Sequence, residues 1–186
     1  MKSPPSSSVK LMRACVLLVA GLTANLAHAQ FGVAWRETPK IVVMSVGGDP
    51  RLSLVDEAVS FWNKTLDEVG SGFRLGPVTR VVRPIPEEAL QSLSQSGSRG
   101  RWVGIRGPNL PPMNLPNVAR NVIAHELGHA IGLGHNSDPT KLMCGRPAEC
   151  RPPLFRSDQP RLFPVTDDEK DQLLRMYPPE WKPQPP

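Results

Sequence analysis

The sequence contains few residues of the kinds that bind metals or form disulfides, and it has no long apolar run. The chain has 186 residues, with four histidines, three cysteines and one tyrosine. Its mostly apolar stretch, residues 14–27, is shorter than the about 20 residues that a membrane-spanning helix needs. No block of lysine and arginine indicates binding to nucleic acid or to an anionic membrane. We therefore expect no nucleic-acid partner and no stable membrane insertion.

The N-terminal residues have the three parts of an export signal. Lys2, Lys10 and Arg13 supply a positive start, the apolar stretch follows, and alanines at positions 27 and 29 match a small-residue cleavage pattern. A membrane span is the alternative, which the short apolar stretch disfavours. We expect cleavage after Ala29 and a secreted or periplasmic protein. Cleavage would remove three basic residues and no acidic ones, so the formal net charge would fall from +5 to +2.

After the signal at residues 1–29, the chain has the size of one domain, which we place at residues 30–178. Residues 179–186 are rich in proline and are expected to form an extended, loose tail. Cys144 and Cys150 are the two cysteines beyond the signal. A disulfide between them is expected in an oxidising compartment, and two separate buried thiols are the alternative.

The spacing of apolar residues predicts a mixture of strands and helices. Three local patterns mark helix starts: Ser53 with Asp56 resembles a capping box, Asn117 is a candidate N-cap, and Thr166 with Glu169 forms another capping box. The predicted elements are, in order, a strand at residues 41–46, a helix at 53–69, a strand at 78–82, a short helix at 86–93, a loop at 94–100, a strand at 102–105, a helix at 117–131 and a helix at 167–177.

The segment HELGHAIGLGH, residues 125–135, contains the residues that we expect to carry chemistry. His125 and His129 are four apart on a predicted helix, so their side chains share one face and can reach one metal ion. Glu126 projects beside this face. A third ligand ten positions after His125 can reach the same metal only if the chain leaves the helix and turns back. Gly132 supplies the backbone freedom for that turn. His135 would then face the metal from outside the helix.

Three neutral imidazoles with one open position are typical of a catalytic zinc site, whereas structural zinc sites are closed by four protein ligands. Zinc makes a water molecule more acidic, and Glu126 would accept its proton and pass it to the leaving amine. The alternative is two histidines and a glutamate on an ordinary helix. The distribution of histidines disfavours this alternative, because every histidine beyond the signal belongs to this one motif. Gly134 is expected to keep the turn before His135 uncrowded.

This motif resembles the signature of the metzincin metalloproteases, H-E-x-x-H-x-x-G-x-x-H followed by a methionine turn. Met143 lies eight positions after His135, and this short spacing, with Gly128 inside the motif, is most similar to the matrixin branch. The resemblance implies that Met143 forms an apolar base under the zinc site. An ordinary core methionine is the alternative. The specific match covers residues 124–144.

The resemblance also implies an α+β catalytic domain. In such a domain a small, twisted, mostly parallel sheet packs on a long helix and an active-site helix, and a C-terminal helix follows the methionine turn. The predicted elements occur in this order. Substrate would bind as an extended strand along the edge of the sheet. Residues 102–105 are the candidate edge strand, and the alternative is that they form an internal strand. Asn136 and Gly145 depart from the family, where serine is usual after the third histidine and some metzincins have a tyrosine two positions after the methionine.

The sequence therefore predicts a zinc-dependent endopeptidase that hydrolyses internal peptide bonds in proteins. It predicts one catalytic Zn²⁺, because no histidine remains for a second zinc, and no compact Asp-rich loop supports a calcium site. We expect a protein or peptide substrate and a monomeric enzyme. Two alternatives stay open: a secreted protein that binds zinc and peptide without cutting, and a zinc amidase that acts on cell-wall material.

Overall fold

The chain folds as an α+β protein in the part that the structure describes. The computed structural model describes residues 34–45, 49–82, 112–150 and 159–184. Within these ranges it forms two strands and three helices: β1 (Ile41–Ser45), α1 (Leu52–Glu68), β2 (Val78–Val82), α2 (Pro116–Ala130) and α3 (Asp167–Met176). None of these helices is both long enough and apolar enough to span a bilayer.

The predicted elements agree with the observed ones to within one residue at each end where both exist. The remaining predictions, namely the export signal at residues 1–29, the short helix at 86–93, the loop at 94–100 and the strand at 102–105, lie outside the described residues. The candidate substrate edge therefore stays a prediction.

The two strands form a parallel pair, in agreement with the mostly parallel sheet that was expected. Ile41 pairs with Val78 and Ser45 with Val82 at the two ends of the ladder. Parallel strands need a crossover connection, and α1 lies in that connection. The β-branched residues of both strands suit a pleated, partly buried surface.

Two of the predicted helix caps are wrong, because these helices begin at other residues than Ser53 and Asn117. The N-cap of α1 is Arg51, whose backbone N–H donates to Asp49 Oδ1 at 2.9 Å, so Ser53 lies inside the helix. The N-cap of α2 is Leu115, and the helix begins at Pro116. Proline suits this first position because its missing N–H has no helical partner to lose there.

The third cap is confirmed. Thr166 Oγ1 accepts from Glu169 N at 3.1 Å, and Glu169 Oε2 accepts from Thr166 N at 2.7 Å, which completes the predicted capping box of α3. This box satisfies two of the backbone donors that a helix start leaves without helical acceptors.

Helices α1 and α2 pack against each other and hold the motif helix in place. Trp62 of α1 is fully buried, and its indole Nε1 donates to the carbonyl of Ala124 on α2 at 2.8 Å. Arg120 of α2 donates through Nε to both carboxylate oxygens of Glu57, at 2.7 and 2.9 Å. The hydrogen bond from the indole and the ion pair together fix the axial position of α2 relative to α1.

Trp181, in the segment expected to form a loose tail, packs onto the domain beside Tyr177, so that expectation is wrong at Trp181. Tyr177 is fully buried, stacks on Phe73 with ring centroids 4.1 Å apart, and donates its hydroxyl to the carbonyl of Ile131 at 2.8 Å. Trp181 lies edge-on to Phe73 at 4.9 Å and donates through Nε1 to the carbonyl of Trp35. Burial of these aromatic side chains offsets the ordering of a proline-rich segment.

Candidate metal centre

Helix α2 presents His125 and His129 side by side. Their ring centroids are 4.6 Å apart, as expected for side chains four residues apart on one helix face. Nδ1 of His125 lies 2.8 Å from the carbonyl oxygen of Leu142, and Nδ1 of His129 lies 2.8 Å from that of Leu133. A carbonyl oxygen only accepts hydrogen bonds, so each neutral ring carries its proton on Nδ1 and has its lone pair on Nε2.

Gly132 turns the chain back after α2, as the sequence predicted. Its φ of 105° lies in the left-handed region that other residues rarely adopt. Two hydrogen bonds close the turn: Gly132 N donates to His129 O and Leu133 N donates to Gly128 O, each at 3.0 Å. This pair of bonds is the usual way in which a glycine ends a helix.

The turn brings His135 to the histidine pair. Nε2 of His135 lies 3.0 Å from Nε2 of His129, and its ring centroid lies 5.2 Å from that of His125. The ligand atoms of the three histidines all lie within 4.8 Å of one another. Zinc–nitrogen bonds of about 2.0–2.1 Å in a tetrahedral arrangement place two ligand nitrogens about 3.4 Å apart. The three rings therefore converge on a volume that fits one zinc ion.

The charge state of His135 also suits metal binding. Partial burial lowers the pKa of His135, the neighbouring His129 lowers it further, and the negative charge of Glu126 partly opposes both effects. A lowered pKa favours the neutral imidazole, which is the form that donates a lone pair to a metal. Glu126 is thus close enough to His135 to act on its charge.

Met143 lies against the motif helix and is fully buried. A Cβ atom added to Gly128 would lie 2.4 Å from Met143 Sδ and 2.8 Å from Trp62 Cζ2. Gly128 therefore lets the methionine and the tryptophan approach the backbone of α2 between the two helical histidines. Met143 is also part of the main hydrophobic core, so the apolar base that the resemblance implied and an ordinary core methionine both fit this position.

A second close approach involves Gly145, the position at which some metzincins have a tyrosine. A Cβ atom at Gly145 would lie 2.2 Å from Cγ of His135 and 2.4 Å from its Nδ1, so the glycine backbone lies directly against the imidazole ring. By contrast, no heavy atom of the described chain lies within 4 Å of a Cβ atom at Gly134. The expectation that Gly134 relieves crowding is wrong, because the crowded glycine is the one ten positions after His135.

The disulfide that the sequence left open is formed. Cys144 and Cys150 are bonded, with their Cα atoms 5.7 Å apart. Cys144 lies between Met143 and Gly145, and its segment pairs with Asn136 in a short parallel bridge. The bond thus closes a loop directly beside the three histidines.

The comparisons with known proteins agree with this geometry. A protein-family model described as "Matrixin" matches residues 93–172, which include the three histidines and Met143. Human matrix metalloproteinase-27 is 38% identical over 56 residues, which are 30% of this chain and 9% of that protein. The chain therefore corresponds to a small part of the length of this relative.

Proposed function

The chain contains a matrixin-like domain, and we propose that this domain is an extracytoplasmic zinc-dependent endopeptidase. The observation that carries the proposal is the convergence of three imidazoles whose ligand atoms lie within 4.8 Å of one another. His125, His129 and His135 are the proposed ligands, and Glu126 is the proposed general base. The similarity to human matrix metalloproteinase-27 supports a peptide substrate.

The proposed ligands are oriented by the backbone around them. Hydrogen bonds from Nδ1 of His125 and His129 to carbonyl oxygens direct Nε2 of each ring to the shared volume. Such bonds fix the ring orientation and raise the basicity of a metal-binding histidine. A bound zinc ion would supply Lewis-acid chemistry and a more acidic water molecule.

Glu126 is the candidate for moving the proton. It follows His125 on α2, is half-buried, and acts electrostatically on His135. A carboxylate beside the three rings can accept a proton from the attacking water and return it to the amine of the cleaved peptide. No ligand role is proposed for Glu126, because three histidines leave one coordination position open for chemistry.

The location outside the cytoplasm is also part of the proposal. The Cys144–Cys150 disulfide supports it, because such bonds persist mainly in oxidising compartments. The N-terminal pattern supports cleavage after Ala29, which would release a domain at residues 30–178 with its proline-rich tail. Sequencing the N-terminus of the exported protein tests this part.

Two variants test the proposed chemistry on casein. Glu126→Ala should retain one zinc ion per chain and lose cleavage, because the proposed base does not bind the metal. His129→Ala should lose both zinc and cleavage. Cleavage of casein by Glu126→Ala at the wild-type rate would contradict the proposed base.

The same assay separates the alternatives. A wild-type protein that binds stoichiometric zinc but cuts no protein would favour a binding role. Release of fragments from peptidoglycan, with no cleavage of casein, would favour a cell-wall amidase. A wild-type protein that binds no zinc would refute the proposed function altogether.

A further inference from the structure

The third histidine is held differently from the other two. His125 and His129 stand on a helix, and each has a carbonyl partner at Nδ1. His135 lies in a loop after the helix, and within the described residues no hydrogen bond from the protein holds its Nδ1. Besides the packing of Gly145 against it, the ring is positioned by the segment that carries it.

Asn136, the next residue, anchors that segment through both its backbone and its side chain. Its N–H donates to the carbonyl of Met143 at 2.9 Å, and its carbonyl accepts from Gly145 N at 3.1 Å. Its side-chain Oδ1 accepts from Asp138 N at 2.8 Å, and Nδ2 donates to Glu169 Oε1 at 2.6 Å. All four polar groups of Asn136 are thus engaged.

The carboxylate of Glu169 is more than a helix cap. One oxygen completes the capping box with Thr166, and the other accepts the hydrogen bond from Asn136. Glu169 is 6% exposed. Burial of a carboxylate is costly unless both oxygens are hydrogen-bonded, and the bond from Asn136 supplies the second partner.

Helix α3 contacts the segment of His135 on both sides. Gln172, one turn after Glu169, donates through Nε2 to the carbonyl of Gly132 at 3.1 Å. Glu169 and Gln172 are three apart and share a helix face. This face therefore contacts the chain three residues before His135 and one residue after it.

We propose that Asn136 and Glu169 are positioning residues for His135, and that their hydrogen bond sets the affinity of the three-histidine site for zinc. This inference rests on the proposed function, because it assumes that the three histidines bind zinc. The two side chains act through His135 and do not touch the metal. Partners that hydrogen-bond directly to a metal-binding residue alter metal affinity by about 10–100-fold when they are changed, and side chains that act through the neighbouring residue are expected at the lower end of this range.

The hydrogen bond can be broken and restored by exchanging its donor and acceptor. Asn136→Asp keeps the oxygen that accepts from Asp138 N but turns a carboxylate oxygen towards Glu169. Glu169→Gln places an amide nitrogen against either Asn136 Nδ2 or Thr166 N, both of which are donors. In the double variant, the amide nitrogen introduced at position 169 would donate to the carboxylate introduced at position 136. The amide oxygen at position 169 would still accept from Thr166 N, so every bond is restored with the wild-type net charge.

The zinc affinity of the four proteins is measured by competition with a chromophoric chelator. Each single variant should bind zinc about tenfold or more weakly, and the double variant should recover to within about threefold of the wild type. The added negative charge in Asn136→Asp should by itself favour a cation, so a weaker affinity cannot arise from that charge. The visible spectrum of the Co²⁺-substituted proteins should show disturbed tetrahedral coordination in the single variants only.

A matched control separates positioning from general stability. Thr166→Ala removes the hydroxyl that accepts from Glu169 N, whereas the bond between Asn136 and Glu169 stays in place. This variant should melt at a lower temperature and bind zinc with wild-type affinity. Parallel losses of stability and zinc affinity in Thr166→Ala would overturn the inference.

Two further outcomes are decisive. Equal zinc affinity in the wild type and both single variants, or a double variant no better than the sum of the single changes, overturns the inference and leaves the proposed function standing. A wild-type protein without zinc affinity overturns the proposed function and the inference together.

Discussion

The close contact between Gly145 and His135 predicts that the variant Gly145→Ala binds zinc more weakly than the wild type. The new Cβ atom would lie 2.2 Å from His135 Cγ and 2.3 Å from Cδ2. Ordinary contacts between such atoms are about 3.5 Å or longer, so the ring or the loop must move by about 1 Å. Zinc–ligand distances tolerate changes of about 0.2 Å. We therefore expect the zinc affinity to fall by at least about tenfold.

The Cys144–Cys150 loop is constrained, so we expect the His135 ring to move instead of the loop. Cys144, next to Gly145, is covalently bonded to Cys150, and Gly145 N donates to Asn136 O at 3.1 Å. Overpacking of this kind costs about 1–3 kcal/mol when neighbours are constrained. The ring of His135 is exposed on one side and has room to shift away from the other two histidines.

The assay is zinc binding by chelator competition, with casein cleavage as a second readout. Gly134→Ala is the matched control, since its Cβ atom would meet no heavy atom of the described chain within 4 Å. The control should bind zinc as the wild type does. Wild-type affinity in Gly145→Ala would refute the reasoning, and equal losses in both variants would assign the effect to loop flexibility.

Three further predictions follow from the packing around the site. Gly128→Ala should lower the melting temperature and the zinc affinity together, because its Cβ atom would lie 2.4 Å from Met143 Sδ; unchanged values of both would contradict this. Tyr177→Phe should cost about 1–3 kcal/mol in the free energy of unfolding by urea, because the buried hydroxyl donates to Ile131 O at 2.8 Å; a loss below about 0.5 kcal/mol would be too small for that bond. Removal of metal by EDTA should leave the helical circular dichroism signal unchanged and lower the melting temperature, because the buried core consists of apolar side chains and includes none of the three histidines; loss of the helical signal would show that folding requires the metal.

The sequence predicted the three helices and two strands of the described residues because these depend on spacing along one segment. His125 and His129 share a face through helical geometry alone, and Gly132 is recognisable from the need for a left-handed residue. The capping box of Thr166 and Glu169 is local for the same reason and is confirmed. Each of these features spans about one to three helical turns.

The wrong cap predictions have a different physical origin. Ser53 and Asn117 have the right chemistry for helix starts, but α1 already begins after Arg51, whose N–H donates to the nearby Asp49, and Asn117 is used in a tertiary contact. Asn117 is buried, and its Oδ1 accepts from Arg161 N at 3.2 Å, a partner 44 residues away. A residue that can cap a helix can also cross-link two distant segments, and local spacing does not distinguish these uses.

The tail was mispredicted because proline content is a weak guide when aromatic side chains are present. Trp181 is flanked by residues that disfavour regular structure, yet it packs on Phe73 and donates to Trp35 O at 3.2 Å. These contacts join the end of the described chain to its beginning. No local pattern specifies them, because the partners are more than 100 residues apart.

The three proposed ligands also differ in whether local spacing or contacts between distant segments position them. His125 and His129 share one helix, so helix geometry alone sets the separation of their side chains. The third depends on contacts with Gly145, ten residues later, and on the link from Asn136 to Glu169, 33 residues later. The geometry of the third ligand therefore depends on the face of α3 that contacts its segment, and changes at Glu169 should weaken metal binding without altering any ligand.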